Sequence, residues 1–229
     1  MPKREKVDSP LTREKVLRAA ASLADNRGIE ALSMRELGRQ LGVEAMSLYN
    51  HIANKDDLLS GIVDEVIGEI ELPALDADWR EAMRSRAFSA REAFRRHPWA
   101  PILIDSRVSG GAGRLRYFEA VLGVLRQAGF TVELAARAFS LIDSYIYGFG
   151  RQSLHMASGD GGDVPAAEAF LRALPAEQFP YLAEMAAISA SRPGYDEAAD
   201  FEFGLNLILD GLQQALDSAQ AESEGMKSC

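Results

Sequence analysis

The chain is expected to fold as an all-α protein, with an N-terminal three-helix helix-turn-helix domain followed by a helical bundle. Three observations point there. Strand-like alternation is nearly absent over the 229 residues, whereas apolar residues recur three and four apart, the spacing that lines one helix face. The periodic runs are punctuated by helix starters such as Ser33, Asn54 and Thr131, and by stops such as Gly42 and Gly129. Finally, two short helices meet at Gly42, and a marked start follows them closely.

The first helix is predicted from about Thr12 to Arg27, with Val16, Ala20, Leu23 and Ala24 on one stripe. Ser33 and Glu36 form a capping-box signature, in which hydroxyl and carboxylate satisfy backbone N–H groups at a helix start. Leu37 and Leu41 share a face, and Gly42 suits a left-handed stop. Val43 and Leu48 can pack inward, leaving Glu44, Ala45, Met46, Ser47, Tyr49 and Asn50 with no core to serve. In such a motif the second helix would enter a DNA major groove. Asn54 caps a fourth helix, with Asp56 and Asp57 complementing its dipole. That helix, about 55–72, carries Leu58, Leu59, Ile62, Val63, Val66, Ile67 and Ile70 up to Pro73 and connects the two parts of the chain.

Further on, a helix from about Trp79 should end before Pro98, because the residue preceding a proline is pushed out of helical geometry. A short helix near Pro101–Arg107 precedes a Ser109-Gly110-Gly111 loop, and another spans Gly113–Gln127. Thr131 caps a long helix to about Ala157. Ser158–Asp163 reads as a loop whose carboxylates do not match an EF-hand. Residues 165–191 read as short helical pieces broken at Pro175 and Pro180, and Arg192-Pro193-Gly194 as a turn. Asp196 caps a last helix to about Asp217, and the tail 220–229 is expected to be disordered.

No run of about 18 apolar residues suggests a membrane span, and no signal-peptide pattern is present. The single cysteine, Cys229, rules out a disulfide framework. A cytoplasmic location is expected. The net charge is -9, but its distribution is uneven. Residues 1–60 hold ten Lys/Arg against nine Asp/Glu, or +1; the rest holds 15 against 25, or -10. The acidic bulk is thus segregated from the helix-turn-helix end. That end is less basic than many DNA-binding domains, so Lys3, Arg4, Lys6, Arg13, Lys15, Arg18, Arg35, Arg39 and Lys55 would have to cluster on one face. For Arg18 and Arg27 a plain solvated surface is the simpler reading.

The run Leu41-Gly-Val-x-x-x-x-Leu-Tyr-x-His-Ile-x-Asn-Lys55 resembles the DNA-binding domain of the tetracycline-repressor (TetR) family of bacterial regulators. The likeness extends ungapped over about 50 residues, from the first helix through Asp57-Leu58-Leu59. More weakly, Gln127-Ala-Gly-Phe-Thr-Val-Glu and Phe201-Glu-Phe-Gly-Leu-Asn-Leu-Ile-Leu-Asp-Gly-Leu212 resemble the regulatory domain of the tetracycline-repressor branch. The resemblance implies a DNA-binding domain over 1–55, the connecting helix, and an effector-binding and dimerisation domain over 73–219. It also implies a homodimer, formed through the long helix 132–157 and the last helix 196–217, on a palindromic double-stranded DNA operator. The apolar seams Leu134, Ala138, Leu141, Ile142, Tyr145 and Phe201, Leu205, Ile208, Leu209, Leu212 agree with that pairing. Periodicity alone leaves open whether they meet a second copy or the chain's own core.

By the same resemblance, Tyr49, His51 and Lys55 would hold phosphates, and Lys55 also stands at a helix start that attracts them. Base reading would fall on Arg35, Ala45, Met46 and Asn50, with Ser33, Glu44 and Ser47 completing the DNA-facing set. Ala45 and Met46 suit thymine methyl groups. Candidate residues to line a small-molecule effector are Trp99, Leu103, Phe118, Phe139, Asp143, Tyr147 and Gln152, with plain core packing the simpler role for each aromatic. The branch's magnesium-binding glutamate falls on Gln152, and its histidine falls near Asp105 in a loose part of the match. A magnesium-chelated tetracycline is therefore not the expected effector. No metal site or cofactor is expected, since His97 and His155 stand alone in the sequence.

An enzyme is the competing class. The chain has no Gly-rich phosphate loop, no His-Glu-x-x-His, no Gly-x-Ser-x-Gly and no Glu-x-x-His pair. A second rival is a helical protein-interaction module that keeps the fold without specific DNA binding; it would show no salt-sensitive retention on duplex DNA.

Overall fold

The computed structural model describes residues 10–106, 111–157, 175–191 and 197–227, and among these every regular element is helical. In chain order they are α1 (Arg13–Arg27), a 3-10 turn (Ile29–Ala31), α2 (Met34–Leu41), α3 (Ala45–Leu48) and α4 (Lys55–Gly68). Then come α5 (Trp79–Arg96), α6 (Ala100–Ser106), α7 (Ala112–Gln127), α8 (Val132–Ala157), α9 (Pro180–Ser191) and α10 (Glu197–Lys227). The all-α expectation holds. Lys3, Arg4, Lys6, the 158–163 loop, the 192–194 turn, the Asp196 cap and Cys229 lie outside the described residues.

The starts are where the capping residues place them. Thr12, Ser33, Asn54, Asp78 and Thr131 each accept a hydrogen bond from the backbone N–H three residues on. Two ends differ from the sequence reading. α4 stops at Gly68, not just before Pro73, since glycine weakens the last turn and Glu69 closes it. The tail expected to be disordered instead continues α10 to Lys227. Its Gln, Ala, Glu, Met and Lys residues are good helix formers, and extending an existing helix needs no new nucleus.

The chain divides into two compact units, Met1–Val124 and Leu125–Cys229. The first reaches well past the boundary near residue 72 read from the sequence, because α4 packs against α1, α5 and α6. Its core includes Val16, Ala20, Leu32, Leu37, Leu48, Ile52, Leu58, Ile62 and Met83, all at or near full burial. Arg86 is also buried there, hydrogen-bonded to the Tyr117 hydroxyl with its guanidinium over the Tyr117 ring.

In the second unit α8 packs on α10. Tyr145, Phe149 and Phe201 form an aromatic cluster with centroids 5.0 to 5.9 Å apart, and the Tyr145 hydroxyl donates to the Phe201 carbonyl at 2.9 Å. Burial separates the two readings that periodicity leaves open for the seams. Ala138, Ile142, Phe201, Leu205, Leu209 and Leu212 are buried within the single chain and so belong to its own core. Large apolar residues left outside include Val132 and Leu141 on α8, at 69% and 48% exposure, and Phe203 and Leu207 on α10, at 68% and 58%.

Candidate nucleic-acid interface

The turn between α2 and α3 is set by two glycines. Gly42 has φ 70° and ψ 27°, the left-handed region that costs other residues most. Its N–H bonds the Arg39 carbonyl and the Val43 N–H bonds the Gly38 carbonyl, which closes the helix end in a Schellman arrangement. At Gly38 a Cβ would stand 2.9 Å from the Val43 carbonyl oxygen and 3.2 Å from the Ala45 N, so only glycine lets the two helices approach this closely. Leu37 and Leu48 then bury completely beneath the turn.

α3 is a single turn of four residues. His51 and Ile52 N–H groups both return to the Leu48 carbonyl, so the chain curls tightly before α4 begins. This curl leaves Glu44, Met46, Tyr49 and Asn50 exposed, with Met46 at 72% and Tyr49 at 44%, while Ala45, Ser47 and His51 are partly covered. Ser33, Arg35, Ala45 and Val43 border one open groove beside Glu36 and Arg39. Lys55, the first residue of α4, is exposed. The residues read from the sequence as DNA-facing are thus mostly solvent-accessible around one tip. The Ser33 hydroxyl also has a structural duty, because it caps α2 through the Glu36 N–H at 3.2 Å.

Several cations expected to supply a basic face are engaged elsewhere. Glu36 does not turn back to complete a capping box; its carboxylate takes both Arg27 and Arg39. The Arg39 hydrogen bond, with the nearby Arg27 charge, holds that carboxyl below the usual range. Arg27 is therefore paired, contrary to the solvated-surface reading. Arg13 is tied to Asp57 by two bonds of 2.6 and 2.8 Å and also donates to the His51 carbonyl at 3.0 Å. Asp57 in turn accepts the Ala53 N–H at 2.8 Å. The Arg13 hydrogen bond is the main reason the Asp57 carboxyl sits below its usual range. This clamp fixes the loop carrying His51. Local periodicity does not signal it, since the partners are 44 residues apart.

The residues named for an effector are dispersed over both units. In the first, Trp99 is 5% exposed and its indole donates to Asp25 Oδ1 at 2.7 Å, while Leu103 and Phe118 are partly buried. In the second, Asp143 is 5% exposed and accepts the Tyr147 hydroxyl at 3.0 Å, Phe139 is partly buried and Gln152 is exposed. The side chains of Asp105 and His155 lie outside the described residues. Among the described residues no group of three or more His, Cys, Asp or Glu could hold a metal ion, and no helix is long and apolar enough to cross a membrane.

Comparisons with known proteins cover most of the chain. Residues 16–62 match the family described as bacterial regulatory proteins, tetR family, and residues 72–216 match the tetracyclin repressor-like C-terminal domain. The repressor DrrR1 of Streptomyces coeruleorubidus is 32% identical over 223 residues, covering 93% of this chain and 81% of its own length. The class A tetracycline repressor from transposon 1721 of Escherichia coli is 32% identical over 203 residues, with 86% and 88% covered. Among solved structures, the TetR family protein ActR of Streptomyces coelicolor in complex with actinorhodin superposes with a TM-score of 0.77 at 30% identity, covering 91% of this chain and 99% of that one.

Proposed function

We propose, from the premise that this chain belongs to the tetR family of bacterial regulatory proteins, that it is a ligand-responsive transcriptional repressor. It binds a palindromic operator as a homodimer and leaves it when a small molecule binds the C-terminal half. The observation that carries the reading is the tip around α3. A glycine-closed turn buries Leu37 and Leu48 and turns Met46, Tyr49 and Asn50 outward beside Arg35 and Lys55. Exposed apolar and aromatic side chains at the end of a tightly held helix have no role in the chain's own packing, but they fit a DNA groove.

Each residue then has a distinct part. Tyr49, His51 and Lys55 hold the phosphate backbone and set register, while Arg35 reads guanine and Ala45 and Met46 meet thymine methyls. One tip alone contacts few base pairs, so affinity requires two tips related by two-fold symmetry. Leu141, Phe203 and Leu207 offer an apolar face for the second copy. Relatives of the chain are named for repression and for tetracycline, and ActR is known with actinorhodin bound. A small-molecule effector fits that company, whereas Gln152 in place of a glutamate speaks against a magnesium-chelated one. The family relationships point to a DNA-binding regulator rather than an enzyme.

The test is selection of bound duplexes from a random pool, followed by a screen of small molecules for release. A palindromic consensus whose binding falls steeply with salt is the expected result. Retention that is indifferent to sequence and salt would leave the fold serving another protein partner.

A further inference from the structure

α1 and α4 run side by side in one register. Arg13 pairs with Asp57 at their starts, and Leu17 lies against Gly61 midway. Asp25 and Glu69 come opposite one another at their ends, each pair 44 residues apart in sequence as at Arg13 and Asp57. The two ends are joined differently. At the start a guanidinium and a carboxylate touch directly. At the far end two carboxylates face each other, and the His97 ring stands between them, with Nδ1 2.8 Å from Asp25 Oδ1 and Nε2 3.2 Å from Glu69 Oε1.

Ionised carboxylates only accept hydrogen bonds, and a neutral imidazole donates from one nitrogen alone. Contact at both nitrogens therefore calls for a proton on each, which is the imidazolium. Its charge also separates two anions that would otherwise repel across one ring's width. The charged groups around the ring are Asp25 from α1, Glu69 at the end of α4 and Arg96 of α5, which pairs with Glu69 Oε2 at 2.5 Å. Trp99 meets the ring edge-on and donates to the same Asp25 oxygen. His97 is only 13% exposed, so water replaces these partners poorly.

We infer that His97 is a positioning residue for the DNA-binding helices. In its doubly protonated form it sets the separation of α1 and α4 at the end away from the Arg13–Asp57 clamp. Without the ring, the Asp25 and Glu69 carboxylates face each other unbridged and the two helix ends part. α2 packs on α1 and α1 packs on α4, so operator binding weakens when the bridge at their far end is removed. This rests on the DNA-binding reading above, but one readout is independent of it.

That readout is nuclear magnetic resonance of the full chain. Both His97 ring nitrogens should carry a proton, and the Trp99 indole N–H signal should shift in His97→Gln. A His97 ring with a single N–H, or an indole signal unchanged in His97→Gln, overturns the assignment whatever the protein binds. The second measurement is affinity for a selected duplex for wild type, His97→Gln and Asp25→Asn. His97→Gln and Asp25→Asn should each bind about fivefold more weakly than wild type, the lower end of ordinary site-to-site coupling. Equal affinities for wild type and His97→Gln would overturn the proposal, and failure to select any duplex would strike the regulator reading alone.

Discussion

Arg13 and Asp57 form a two-bond pair whose guanidinium also reaches the His51 carbonyl, so one arginine joins the start of α1, the start of α4 and the loop that follows α3. The pair is partly exposed, at 45% and 29%, and solvent screening limits its direct worth to about 1 kcal/mol or less. Removing the carboxylate also takes away the acceptor for the Ala53 N–H. Asp57→Ala should therefore lower unfolding free energy by roughly 1 to 2 kcal/mol. Chemical denaturation checks this, and an unchanged midpoint would show the clamp to be incidental.

The acid limb of stability should carry two opposing signs. Asp57 is held below its usual range, chiefly by the Arg13 hydrogen bond, so its contribution is present above the unfolded-state value and disappears as pH falls through the folded one. Asp64 is pushed up by burial, with the Gly111 N–H and nearby arginines opposing. Its ionised form costs stability above the folded value, and that cost lifts as pH falls. Asp64→Asn should accordingly leave the protein as stable or more so at neutral pH, while Asp57→Asn destabilises it there and flattens the acid limb. Thermal melts across the acid range would separate the two.

At the DNA-facing tip, phosphate and base contacts should fail differently. Lys55→Ala should weaken binding to every duplex alike and reduce the slope of log affinity against log salt by about 0.9. Arg35→Ala should cost about 1 to 3 kcal/mol against the preferred sequence and relax choice at one position. If Arg35→Ala left the selected consensus intact, guanine reading would have to be assigned elsewhere.

Much of this architecture was legible because it is local. Ser33, Asn54 and Thr131 cap what they were expected to cap, and Gly42 stops α2 as its position after Leu41 implies. What escaped was decided by partners far away in sequence. Glu36 was read as half of a capping box, but Arg27 approaches from another helix and competes for its carboxylate. His97 looked isolated because Asp25 and Glu69 are distant in the chain. The α8 and α10 seams were legible as apolar stripes, yet periodicity carries no information on whose surface a stripe meets. Burial resolves it: Phe201 and Leu205 turn inward, and their neighbours Phe203 and Leu207 turn out.

That division yields the last prediction. Phe203 and Leu207 lie four residues apart on one face of α10, and neither is needed to fill the core of its own chain. If a second copy covers them, Leu207→Glu places an unpaired charge inside an apolar interface, which costs several kcal/mol of association. Its effect on the isolated fold should be small, because the side chain is 58% exposed there. Leu205→Glu, at a fully buried position, should instead unfold the second unit. Sedimentation equilibrium with circular dichroism distinguishes them: a helical monomer for Leu207→Glu and lost helicity for Leu205→Glu. A Leu207→Glu protein that remained dimeric would move the subunit interface away from this face of α10.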